Sequence, residues 1–158
     1  MRAMSLATTR LSAPPAPLAE PPRLARQLGA AGLVPFILGA ALIWLVYPEA
    51  QALVTLALAG YAACVVAFLG GIHWGLAMRA GQGEPASFAW SVVPPLAAAV
   101  GVLMPAYAGL VLLGAMLLVC YAVDRRLYVA HGLAAWLTLR FRLSAVAALS
   151  CFIGASGS

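Results

Sequence analysis

The chain is expected to fold as an all-α, polytopic membrane bundle of about five transmembrane helices, and three observations predict it. Of its 158 residues, 65% are hydrophobic and 8% charged, where a soluble domain carries roughly 25% charged residues. A water-facing surface cannot be assembled from so few charges, so most of the surface faces lipid or another membrane subunit. The mean hydropathy is +1.01, and apolar stretches near the roughly 20 residues needed to cross a bilayer recur along the chain. All nine basic residues are arginines, and they sit at or near the ends of those stretches.

The elements follow in order. Residues 1–26 read as a polar, extended cytoplasmic tail, because Pro14, Pro15, Pro17, Pro21 and Pro22 preclude a helix and favour solvated conformations. With no apolar run, the tail is not a secretory signal. Residues 27–158 form the membrane domain. The first span covers about residues 28–47, with Trp44 and Tyr47 where an interfacial aromatic belt would sit. Pro48-Glu49 makes a turn, and the second span, about 50–78, is long enough to tilt or protrude. Arg79 closes it, and a Gly-rich loop precedes the third span, about 88–104, which has Pro94-Pro95 in its first turns. Pro105 marks a short turn, and the fourth span, about 106–123, stops at Asp124-Arg125-Arg126. The last span, about 134–154, has the least defined start, and an interfacial helix over 127–138 is the alternative.

Orientation follows from charge. With five spans, Arg2, Arg10, Arg23, Arg26, Arg79, Arg125, Arg126, Arg140 and Arg142 all share one side, and the other side carries only Glu49. The positive-inside rule then puts the N-terminus in and the C-terminus out. It also accounts for the net charge of +5 without nucleic acid, which needs basic residues clustered on a solvated face.

Candidate functional residues are few. Ala59, Ala63, Ala67, Gly71 and Gly75 recur at every fourth position of the second span. Small residues at that interval let helix backbones approach closely, inside the bundle or as a docking face for another subunit. His73-Trp74 lies among glycines nearly two turns inside Arg79. An ionisable group at such depth normally faces protein or water, so His73, Trp74 and Trp90 form a candidate polar or ligand site. Asp124, the chain's one Asp, is expected to pair with Arg140 and tie the ends of the fourth and fifth spans. The scattered Cys64, Cys120 and Cys151 have no metal-ligand spacing, and neither a metal nor a cofactor is expected. Nucleophile, zinc-protease and nucleotide-binding motifs are absent, so the chain does not read as an enzyme.

Several segments together are similar to one family: Leu33-Val34-Pro35-Phe36, Phe68-Leu69-Gly70-Gly71-Ile72-His73-Trp74-Gly75, Trp90-Ser91-Val92-Val93-Pro94 and Tyr121-Ala122-Val123-Asp124. Trp136 and the run from Leu139-Arg140 to Leu143-Ser144 complete the set. Over about residues 28–154 the chain resembles domain of unknown function 3429, the transmembrane protein 69-like family. The resemblance implies a multi-span protein of bacterial inner or mitochondrial membranes, and no known activity or catalytic residue.

The leading functional expectation is a non-catalytic subunit or assembly partner of a larger respiratory or photosynthetic membrane complex, embedded in lipid among other membrane subunits. The alternative is a small transporter, or a quinone- or lipid-binding membrane protein with a cavity near His73 and Trp74. The expected location is the bacterial inner membrane, or the mitochondrial inner membrane in a eukaryote.

Overall fold

The computed structural model describes residues 20–79 and 85–158. Five helices, each long and apolar enough to cross a membrane, follow one another. They are α1 (Arg23–Leu45), α2 (Pro48–Arg79), α3 (Pro85–Leu103), α4 (Ala106–Ala130) and α5 (Leu137–Ser156), the last preceded by a single 3₁₀ turn at Ala134–Trp136. No strand occurs among the described residues. Prolines punctuate the starts. Pro48 and Pro85 are the first residues of α2 and α3, and Pro22 and Pro105 directly precede α1 and α4. A missing N–H is harmless there, because first-turn amides have no partner within the helix.

Three boundaries differ from the sequence expectation. The helix begins at Arg23, so residues 23–26 belong to α1 and not to the tail; Pro22 starts the helix instead of blocking it. The remainder of the tail to residue 19, and loop residues 80–84, lie outside the described residues. Because α3 starts at Pro85, Pro94 and Pro95 stand in mid-helix and not in its first turns. The segment 127–138 is not an interfacial helix: α4 continues through Ala130. There Gly132, at φ +72°, reverses the chain. Its N–H bonds the Val129 carbonyl at 3.2 Å, and the Leu133 N–H bonds the Tyr128 carbonyl at 2.7 Å. This is the left-handed glycine cap that closes many helices.

α2 packs against all four other helices, whereas α1 touches only α2 and α5. The core runs along α2, α4 and α5 through Leu58, Val66, Leu110, Leu113, Leu117 and Ala148, with Phe36 and Ile43 entering from α1. Cys120 and Cys151 are buried and act as small hydrophobes; Cys64 is exposed. The α2–α3 contact is the most extensive, and Gly70 explains it. Pro94 and Pro95 deprive the Trp90 and Ser91 carbonyls of their helical donors. The freed Ser91 carbonyl is turned onto Gly70, where a Cβ would lie 2.5 Å away. Only a residue without a side chain admits that approach.

α1 and α5 run parallel. Gly29 lies beside Leu143, and at the other end Trp44 Nε1 donates to the Ile153 carbonyl at 3.2 Å. Gln51 Nε2 donates to the carbonyls of Ile43 (3.1 Å) and Gly157 (2.6 Å). Ser158 therefore ends beside the α1–α2 turn, at the end of the bundle opposite Arg23. All seven described arginines fall at the Arg23 end, within the first two turns of α1 and α5 and the last two turns of α2 and α4.

Candidate functional site

Three ionisable side chains from three helices meet near the arginine-bearing end. Asp124 of α4 is 1% exposed. Its Oδ2 accepts from Arg140 Nε at 2.9 Å and from Arg140 Nη2 at 2.5 Å. On its other side, Oδ1 lies 3.0 Å from Nε2 of His73 on α2. That second approach is close but misaligned, and neither Oδ1 nor Nε2 completes a hydrogen bond among the described residues. His73, 2% exposed, is thus held by proximity to a carboxylate more than by a directed bond. Its Nδ1 and the Trp90 indole N–H are also buried without a protein partner.

The structure thus brings Asp124 and Arg140 together and adds His73 to them. The sequence signal for that third member is depth. α2 and α4 end on the same side, so His73, six residues before Arg79, and Asp124, just before Arg125, lie at similar heights. Trp74 does not join the cluster; it is 46% exposed and meets Phe88 edge-to-face at 5.3 Å. His131 is also apart, exposed, with Nδ1 2.8 Å from its own helix's Leu127 carbonyl.

A pocket of about 590 Å³ lies between α1 and the α2–α4–α5 core; Ile72 lines it, but its neighbours His73 and Trp74 do not. Its volume is within the range of small-molecule sites. It lies beneath the N-terminal half of α1, whose backbone does not come close to that of α4. Gly29 and Gly32 of α1 line it, and Pro35 loosens the turn between them and Phe36 by crowding the Ala31 carbonyl. The Gly32 carbonyl in that turn accepts the Tyr61 hydroxyl at 2.9 Å. Phe36, Leu69, Leu117 and Ala147 form the buried floor, and Leu28 and Phe68, 64% and 67% exposed, stand at the open side.

At the arginine-bearing end the lining becomes polar. Arg140, Ser144 and Ala147 share one face of α5 at helical spacing, Trp136 of the 3₁₀ turn precedes them, and all four line the pocket. The glycine cap at Gly132 returns the chain so that Leu133 and Tyr128 close the same end. Among the described residues Arg140 is the single charged one in the lining. It reaches Asp124 on one side and the pocket on the other.

The small-residue stripe is not one face. Ala59 and Ala63 are buried in the core, Ala67 is half-buried, and Gly71 and Gly75 are exposed, with open space where a Cβ would stand. A step of four residues drifts about 40° around a helix, so Ala59 and Gly75 are turned apart by about 160°. The glycine that does pack is Gly70.

Five apolar helices around an interhelical charge cluster define a polytopic α-helical membrane protein. The family described as protein of unknown function (DUF3429) matches residues 21–156, and the chain belongs to it. No curated protein and no solved structure matches the chain.

Proposed function

We propose that the protein binds a lipid-soluble molecule with a long apolar body and a small polar head, in the lateral pocket between α1 and the α2–α4–α5 core. The observation that carries this reading is a half-open, apolar 590 Å³ pocket with one charged side chain, Arg140, at one end. Arg140 is held at that wall by its bonds to Asp124, which leaves a fixed hydrogen-bond donor beside an otherwise apolar space. The pocket's open side faces the lipid, so a ligand enters from the bilayer, as a quinone or lipid would. No reaction is assigned to the site.

The reading is tested by photocrosslinking with a diazirine-bearing lipid in nanodiscs, followed by peptide mapping. Labels concentrate on the pocket-facing residues of α1 and α5. Gly32→Leu places a side chain in space where a Cβ meets only the Tyr61 hydroxyl, at 3.7 Å. It lowers those labels about tenfold and leaves outward-facing positions unchanged. Uniform labelling around the bundle, unaffected by Gly32→Leu, rejects the site.

A second reading, a non-catalytic subunit or assembly partner of a larger respiratory or photosynthetic complex, is favoured by Gly71 and Gly75. Their exposed, open positions on α2 would admit a neighbouring helix at close range. Purification in mild detergent that yields the protein alone counts against it. The location proposed is the bacterial inner membrane, or the mitochondrial inner membrane in a eukaryote, with the arginine-bearing end in the cytoplasm or matrix.

A further inference from the structure

Building on the ligand-binding reading above, we infer that the pocket selects a neutral hydrogen-bond acceptor as its head, the carbonyl of an ester or of a quinone, and that Asp124 sets this choice by cancelling the charge of Arg140. A guanidinium carries five N–H donors. Two of them, on Nε and Nη2, go to Asp124 Oδ2; of the three that remain on this pocket-lining side chain, the neighbouring Tyr128 hydroxyl can accept one, which leaves donors for a ligand.

The charge balance decides what those donors accept. Asp124 is 1% exposed and Arg140 12%, so the pair is neutral as a unit in a medium that screens poorly. An anionic head would leave one negative charge unmatched in that medium, and an unpaired buried charge is the most costly arrangement available. Among the described residues no other charged side chain lines the pocket to offset it, and His73 stands behind Asp124, away from the lining. A pure hydrocarbon would be excluded for the opposite reason, since it would seal off donors without an acceptor. A neutral carbonyl satisfies the donors and adds no charge. Asp124 acts here as a positioning residue: it touches Arg140 and does not line the pocket.

The test uses the full chain in nanodiscs and three photoprobes with the same diazirine-bearing hexadecyl chain, ending in a methyl ester, a benzoquinone or a sulfonate. The ester or the quinone labels the pocket-facing residues of α1 and α5 at least about tenfold more than the sulfonate, and the stronger of the two identifies the source of the carbonyl. Asp124→Asn inverts the order in favour of the sulfonate, an outcome that simple loss of structure would not produce. The Asp124→Leu/Arg140→Met double variant removes both charges together and abolishes the preference, which keeps the proposal testable if Asp124→Asn does not assemble. Sulfonate labelling equal to or above the neutral probes in the unaltered protein overturns the neutral-head inference and leaves the pocket standing. No pocket labelling by any probe overturns the ligand-binding reading, and the inference with it.

Discussion

Asp124 is the residue on which the charge cluster turns, because it alone contacts both His73 and Arg140. Removing one partner of a buried ion pair strands the other, so Asp124→Ala is expected to destabilise the bundle by about 3–5 kcal/mol. The Asp124→Leu/Arg140→Met double variant recovers most of that loss, since no charge is left unpaired. His73→Gln costs less, about 1 kcal/mol, because its contact with Asp124 is not an aligned hydrogen bond. Equilibrium unfolding in mixed detergent micelles ranks the three; equal losses for single and double variants would show the pair to be incidental. The Asp124–Arg140 pairing was legible in the sequence because a lone Asp stood where one span ends and the next begins with arginines. The place of His73 was only half legible. A sequence fixes depth along a helix well, but here the rotation of α2 about its axis decided that His73 meets Asp124 and Trp74 meets Phe88.

At the scale of the helix, adjacent glycines of α2 should behave oppositely. A Cβ on Gly70 would stand 2.5 Å from the Ser91 carbonyl and 2.7 Å from Pro95 Cδ, while one on Gly71 meets nothing within 4 Å. Gly70→Ala must push α3 away and is expected to cost about 1–3 kcal/mol, as overpacking does. Gly71→Ala is neutral, or gains up to about 1 kcal/mol from helix propensity. Thermal unfolding of the two variants side by side separates them, and equal behaviour would refute the close α2–α3 crossing. Gly132→Ala imposes a left-handed conformation on a residue with a Cβ, at about 1–2 kcal/mol. It also disturbs Leu133 and Trp136 at the pocket, so its effect on photolabelling should exceed its effect on stability. The spans themselves were readable because apolar length is a strong signal in a membrane. The small-residue stripe was misleading because a four-residue interval does not match the 3.6-residue turn over so long a helix. The start of the last span near residue 134 was readable, but the cap at Gly132 was not read, so the fourth span was ended at Asp124 although α4 continues to Ala130. The pocket had no sequence signal, since it arises from how α1 is seated on the other helices.

At the scale of the whole molecule, the bundle has two unlike ends. The last turn of α5 is tied to the α1–α2 turn through Trp44 and Gln51, and every described arginine lies at the other end. The pocket lies in that arginine-bearing half, lined by Ala25 and Leu28 of α1 and by Arg140 of α5. Leaving arginine on the untranslocated side is the dominant rule of membrane orientation, so a phosphatase fused after Ser158 is expected to be active outside and a fluorescent protein fused before Met1 to glow inside. α2, at about 48 Å for 32 residues, exceeds a hydrocarbon core of about 30 Å, which allows the Arg79 end to project into the same compartment. With that orientation the proposed ligand would enter from the cytoplasmic leaflet, which gives the orientation a functional readout. A photoprobe with a membrane-impermeant, neutral head, added to inverted vesicles, should label α1 and α5 rapidly, whereas addition to right-side-out vesicles should label them only as fast as the probe crosses the bilayer. Faster labelling from the outer face would mean that the arginines face outward, and the pocket would have to take its ligand from the opposite leaflet.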